Sequence, residues 1–317
     1  MTICRMLMRI MLVGGLALGA AAHADGITVH DARNRDIAIN DAARTVSIGG
    51  AITEILYALG LDGRLVGIDT TSLYPPAALR EKPNVGYMRQ ISAEGVLGLN
   101  PTLILAVQGS GPRETMDVLE TAKVPLVLVP ETFSEQGLLE KIRLVGHAMG
   151  VDARAECLST AVASDLTQLR ELRARVTKPV RVMFVMSLLN GRAMVAGRKT
   201  AADEIIQLAG AANAVSDYDG YKPMGDEAIV AAKPDVVLSI ERGADSLQAD
   251  AIYAHPAFAL TPAAGAKAFI AMDGLYLLGF GPRTAAAARD LSLKLYPALA
   301  GQSGSFASAV LSANCRQ

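Results

Sequence analysis

The chain has 317 residues, enough for two ordinary domains with sizeable cores. Lys and Arg number 30 against 31 Asp and Glu, so charge gives no reason to expect nucleic acid or an acidic membrane surface as a partner. Aromatic residues make up only 4% of the chain and Trp is absent, so any place where Tyr side chains gather is more informative than usual.

Residues 1–24 read as a secretory signal. Arg5 and Arg9 form a positive n-region, residues 11–22 are an apolar stretch too short to span a bilayer comfortably, and Ala22-His23-Ala24 is an A-x-A cleavage site. The mature chain is expected to start at Asp25, which removes two basic residues and moves the net charge from −1 to −3. No Cys follows the apolar stretch at the cleavage point, so a lipid anchor is not expected. No later segment reaches about 18 apolar residues without a charge or break. The expected compartment is the periplasm. Once Cys4 is removed, Cys157 and Cys315 remain where a disulfide is permitted, and a mutual bridge and two unrelated thiols are equally open.

In the mature chain, short β-rich apolar runs at 46–48 and 180–185 read as buried parallel strands. Thr53 and Asp203 are expected N-caps of the helices that follow, and Gly60 and Gly210 are expected to stop them. The two stretches resemble each other: Thr53-Glu-Ile-Leu-Tyr-Ala-Leu-Gly60 and Asp203-Glu-Ile-Ile-Gln-Leu-Ala-Gly210. A second pair is clearer. Gly86-Tyr87 and residues 92–105 match Gly220-Tyr221 and residues 225–238, with Glu94 aligned to Glu227 and Pro101 to Pro234. In each copy a short helix ends at the proline and an apolar strand begins, at 103–107 and 236–240.

Between the copies, residues 152–175 hold no Pro or Gly, and Ala155, Leu158, Val162, Leu166, Leu169 and Leu172 recur at helical spacing. This predicts one helix of about 24 residues, roughly 36 Å long. The expected fold is therefore α/β: two lobes with central parallel-type sheets, joined by a long spine helix, with a ligand cleft between them. The expected boundaries are 1–24 signal, 25–150 N-terminal lobe, 151–176 spine, 177–300 C-terminal lobe and 301–317 tail.

The chain resembles the periplasmic haem-binding proteins of bacterial ABC importers, in the helix-spine class that also holds the vitamin B12 and siderophore binders. The resemblance covers about residues 43–300. It rests on Gly86-Tyr-Met-Arg-Gln-Ile-Ser-Ala-Glu-Gly95, Met194-Val-Ala-Gly-Arg-Lys-Thr-Ala-Ala-Asp203, Gly220-Tyr-Lys-Pro-Met-Gly225 and Asp273-Gly-Leu-Tyr-Leu-Leu-Gly-Phe-Gly-Pro-Arg283. It implies that Tyr87 is the axial ligand of a haem iron. The chemistry agrees, since a phenolate is a hard anionic donor suited to ferric iron. A phenol of ordinary pKa near 10 needs the metal and a nearby cation to ionise, and Arg89 or Arg242 could serve. Tyr221, at the matching place in the second lobe, is open to three roles: stacking on the porphyrin, second ligand, or rim residue without metal contact. Some relatives carry a further His ligand near the place of Leu188, but Met186-Ser-Leu-Leu-Asn190 has none. The resemblance also implies that Glu94 and Glu227 dock onto arginines of the membrane permease, and two equivalent exposed acids suit a twofold partner.

The implied protein is a monomeric carrier, not an enzyme, that hands haem to a permease with its ATPase. A cobalamin or ferric-siderophore carrier is the alternative within binding proteins, and a chelatase-like enzyme the alternative outside them. No G-x-S-x-G, phosphate loop or H-E-x-x-H supports catalysis. His30, His147 and His255 are scattered, and none forms a spaced metal motif.

Overall fold

The computed structural model describes residues 26–241, 243, 246–300 and 308–316. It opens on an antiparallel hairpin of β1 (Ile27–His30) and β2 (Asp36–Ile39). The N-terminal lobe follows, built on β3 (Thr45–Ile48), β4 (Leu65–Ile68), β5 (Leu103–Val107) and β6 (Leu126–Val129). Its strand order is β4-β3-β5-β6, with every pairing parallel. All residues of β3, β5 and β6 are buried. That is the burial expected when helices cover both faces of a parallel sheet, and it explains why these strands read as continuous apolar runs.

The C-terminal lobe contains β7 (Arg181–Leu189), β8 (Arg192–Ala196), β9 (Ala212–Asn213), β10 (Tyr221–Met224), β11 (Val236–Glu241) and β12 (Phe269–Asp273). Its sheet runs β10-β8-β7-β11-β12, with β9 also paired to β7. Strands β7, β11 and β12 are parallel, whereas β8 and β10 add an antiparallel half. The antiparallel half starts at Asn190-Gly191, both at positive φ, with Leu189 facing Arg192. A two-residue Asn-Gly loop of this kind is the mirror-image turn whose twist matches paired strands. It turns the chain back where a parallel crossover was expected.

The spine is the helix Asp152–Arg173, 22 residues and about 33 Å long. Leu158, Val162, Leu166, Leu169 and Leu172 are buried along it. The first four belong to one cluster that also takes in Ile52 and Leu138 of the N-terminal lobe and Phe184 and Leu291 of the C-terminal lobe. A core continuous through the spine makes the junction stiff. Cys157 on the spine and Cys315 form a disulfide across 158 residues, settling the choice the sequence left open. Buried Asp165 accepts hydrogen bonds from Ser308 Oγ (2.7 Å) and Ala309 N (2.6 Å), so the tail helix Ala309–Ser312 is tied to the same face of the spine.

The repeated helices end as expected and start differently. Gly60 and Gly210 have φ of 71° and 81°, and the residue after each donates to a carbonyl five positions back, closing the helix end. Gly60 is doubly constrained, because a Cβ there would lie 3.1 Å from Cβ of Arg316. Thr53 is not an N-cap. It sits inside the helix Gly50–Ala58, fully buried, hydrogen-bonded to Ser47 Oγ (2.8 Å) and Ser72 Oγ (2.7 Å). Asp203 is not one either. Thr200 caps the helix Ala201–Leu208 by accepting from Asp203 N, because a hydroxyl three residues ahead reaches that N–H and a side chain within the first turn does not. The second repeat keeps its geometry: the short helices Ala93–Leu97 and Asp226–Ala232 precede β5 and β11, and the pre-proline residues Asn100 and Lys233 both have positive φ.

Candidate functional site

Tyr87 lies in the loop that leaves the Ile68–Asn84 bridge at the end of β4. The turn needs Gly86, whose φ of 97° an L side chain rarely adopts. Asn84 Oδ1 accepts from Gly86 N (2.8 Å), Thr70 N donates to Gly86 O (2.9 Å), and Gln90 N donates to Tyr87 O (2.7 Å). Gly111 N donates to Met88 O, and Ile91 N to Gly111 O, joining this loop to the one that follows β5. Met88 packs into the core, while Tyr87 and Arg89 on either side of it are exposed. The backbone is thus fixed and the phenol ring is presented to solvent, 43% exposed.

Tyr221 opens β10, the edge strand of the other lobe, and is likewise exposed. Its ring stands edge-on to Phe184, with centroids 6.3 Å apart. Phe184 is fully buried in β7, so the sheet interior supports Tyr221. Glu94 and Glu227 both lie in the first turns of their matched helices, both exposed, and neither side chain has a partner among the described residues. Arg242 falls outside the described residues. The histidines have local roles: His30 with Asp36, His147 with Asp152 and Thr28 O, and His255 as the cap of Pro256–Ala259. Among the described residues no three His, Cys, Asp or Glu side chains gather as a metal site.

Between the lobes lies a cavity of about 860 Å³, within the range of small-molecule sites. Glu131 and Phe133 line it from the N-terminal lobe, and Arg198, Lys199, Asp203 and Glu204 from the C-terminal lobe. Burial raises the Glu204 carboxyl, as do the charges of Asp203 and of Glu135 across the gap, while Arg173 opposes them. Tyr87, Arg89 and Tyr221 do not line this cavity. Arg89 instead lines a second cavity, described below.

The floor of the cleft holds residues to which the sequence assigned no role. Glu54, 5% exposed in the helix Gly50–Ala58, accepts from Arg283 Nε (3.0 Å), Nη2 (2.9 Å) and backbone N (3.2 Å). The Arg283 guanidinium lies over the Tyr74 ring at 3.6 Å and near the Tyr276 ring at 5.1 Å. Burial and the Asp290 carboxylate, which accepts from Tyr276 Oη at 2.9 Å, push the Tyr276 phenol well above its usual range. Lys141, also buried, donates to Glu131 (2.6 Å) and to Phe280 O (3.3 Å), linking the lobes again. Asp69, fully buried at the end of β4, accepts from Gly49 N, Thr71 N, Thr71 Oγ1 and Ser72 Oγ. The run Asp69-Thr-Thr-Ser72 was the available signal, since Asp, Thr and Ser after a strand favour side-chain-to-backbone turns.

A family profile described as periplasmic binding protein matches residues 46–275, spanning both sheets and the spine. The chain belongs to the periplasmic binding protein family. The binding protein superposes on the periplasmic heme-binding protein RhuT from Roseiflexus sp. RS-1, in its apo form, with a TM-score of 0.77 at 40% identity, covering 82% of this chain and 100% of RhuT. For the periplasmic heme-binding protein BhuT in complex with two hemes, the TM-score is 0.76 at 40% identity, over 81% and 98% of the chains. The uncharacterised ABC transporter substrate-binding lipoprotein YvrC of Bacillus subtilis is 27% identical over 275 residues, 86% of each protein. Among the described residues no helix is long and apolar enough to cross a membrane.

Proposed function

We propose that this periplasmic binding protein captures ferric haem between its lobes, with the Tyr87 phenolate on the iron, and delivers it to an inner-membrane ABC permease driven by its ATPase. The observation that carries this reading is the likeness of both lobes, at 40% identity, to proteins that bind heme, together with an exposed Tyr87 on a rigid loop. A preset phenol spends little conformational freedom on binding. Iron would favour its ionised form, helped by Arg89 or Arg242 as a neighbouring cation. Tyr221, propped by Phe184, would stack on the porphyrin or supply a second ligand.

Glu94 and Glu227, exposed and without a side-chain partner among the described residues, are assigned to permease arginines. The carrier is read as a monomer and not an enzyme, released at Asp25, with lobes at 25–150 and 177–300 on a spine at 151–176. The test is a titration of the purified mature protein with ferric haem and, separately, with cobalamin. Stoichiometric haem uptake with a tyrosinate-type visible spectrum is expected. Uptake of cobalamin and not haem would overturn the reading.

A further inference from the structure

The second cavity, about 430 Å³, lies within the N-terminal lobe against the Tyr87 loop. Three arginines line it from three separate segments. Arg33 comes from the turn between β1 and β2, Arg89 stands two residues past Tyr87, and Arg113 opens the helix Arg113–Thr121. The remaining wall is the turn 108–111 with Met116 and Leu128, and among the described residues no carboxylate lines it. Converging like charges repel, so a fold that holds them in one concavity must pin them. The turn bearing Arg33 is pinned by Ala32 N donating to Leu128 O (2.8 Å) and by buried Asp31 accepting from Arg33 N (2.8 Å) and Arg35 N (3.1 Å). Glu120, on the helix that Arg113 starts, accepts from Arg33 and Arg35. The opposite wall is bonded to the Tyr87 loop through Gly111.

Two of the three guanidiniums retain most of their donors. Arg89 has no side-chain partner among the described residues, and Arg113 meets only Asp117, at 3.9 Å on an exposed helix face. A concave, carboxylate-free site with spare guanidinium donors fits an anion with planar oxygens, which arginine binds bidentately. Haem carries two carboxylates on one edge of its ring. We propose that this cavity receives the carboxylate edge of the porphyrin whose iron Tyr87 holds, and that Arg33 and Arg113, with Arg89, select acidic porphyrins over uncharged ones. The inference rests on the haem reading above.

The experiment titrates ferric haem and its dimethyl ester, which lacks the charged edge, into the wild-type protein, Arg113→Gln, and Arg33→Gln/Arg113→Gln. The exposed Arg113 is replaced alone so that a folding defect from losing the Arg33–Glu120 contact does not obscure the result. The wild type is expected to prefer haem over the ester by about tenfold to a hundredfold, from charge-assisted contacts. Arg113→Gln should reduce that preference and the double variant should reduce it further, to what Arg89 alone supports, with ester affinity unchanged. Equal binding of haem and ester by the wild type, or an undiminished preference in the folded variants, would overturn the inference and leave the haem reading standing. Binding of neither compound would instead overturn the haem reading. Inorganic phosphate is the third arm. Competition with haem but not with the ester supports a shared site, and saturable phosphate binding that leaves haem affinity untouched would make the cavity an independent anion site and defeat the proposal.

Discussion

The floor of the cleft and its mouth follow opposite rules. At the floor, charges are buried and matched: Glu54 takes three hydrogen bonds from Arg283, Lys141 joins Glu131 to Phe280 O, and Asp69 accepts four. At what the proposed function makes the mouth, Tyr87, Arg89, Glu94 and Glu227 stand in solvent, and the last three have no side-chain partner among the described residues. A buried charge must find its partner inside the protein, because desolvating it alone is very costly. An exposed one loses little by staying unpaired and remains free for a visitor. Stability therefore resides in the floor, and the proposed function assigns recognition to the mouth.

The largest way to break this comparison is at Arg283. Arg283→Ala leaves Glu54 buried without its cation, and denaturant unfolding should show a loss of about 3–5 kcal/mol. A loss below about 1 kcal/mol would mean that water reaches Glu54 and the floor is not a dry latch. Next comes the tail. Replacing Cys157 and Cys315 by Ser should cost about 2–5 kcal/mol by freeing the unfolded chain, measured as a lower unfolding midpoint that reductant reproduces in the wild type. An unmoved midpoint would show the tail to be dispensable.

A smaller effect depends on pH. The Glu204 carboxyl is raised in the folded protein by burial and by Asp203 and Glu135. It holds its proton more tightly folded than unfolded, so the native state loses stability as pH rises from about 4.5 through the raised folded value. Glu204→Gln should therefore be more stable than the wild type near neutral pH and equal to it below about pH 4. Parallel denaturation curves at the two pH values check this, and an unchanged or reduced neutral stability would contradict it. The smallest effect on stability belongs to the mouth. Glu94→Ala/Glu227→Ala should change unfolding by no more than about 0.5 kcal/mol and leave haem titration intact. Its stimulation of the cognate importer's ATPase should fall. Normal stimulation would remove these residues from docking.

Much of this architecture was legible in the sequence because it is local. The spine showed itself through Leu158, Val162, Leu166, Leu169 and Leu172, and helix ends through Gly60 and Gly210, because one periodicity or one backbone conformation decides each. The Gly86-Tyr87 and Gly220-Tyr221 repeat was legible for a different reason, as a matched pair of motifs, and both tyrosines are exposed. The floor was not legible. Glu54 and Arg283 lie 229 residues apart, and nothing local in either marks the other as its partner. The caps failed on a finer scale, since Thr200 and Asp203 are both good cap residues and only the backbone tells which lies outside the helix. Asn190-Gly191 carried a hairpin signal that outweighed the parallel pattern around it.

The central claim is that haem iron is held at the mouth by Tyr87, and the most direct measurement is the visible spectrum of the haem-loaded protein with Tyr87→Phe set beside Tyr221→Phe. Both substitutions keep the ring and remove only the hydroxyl, so neither should disturb the fold. The account predicts that Tyr87→Phe loses the tyrosinate-to-iron band and binds haem far more weakly, whereas Tyr221→Phe keeps that band. An unchanged spectrum and affinity in Tyr87→Phe would contradict it.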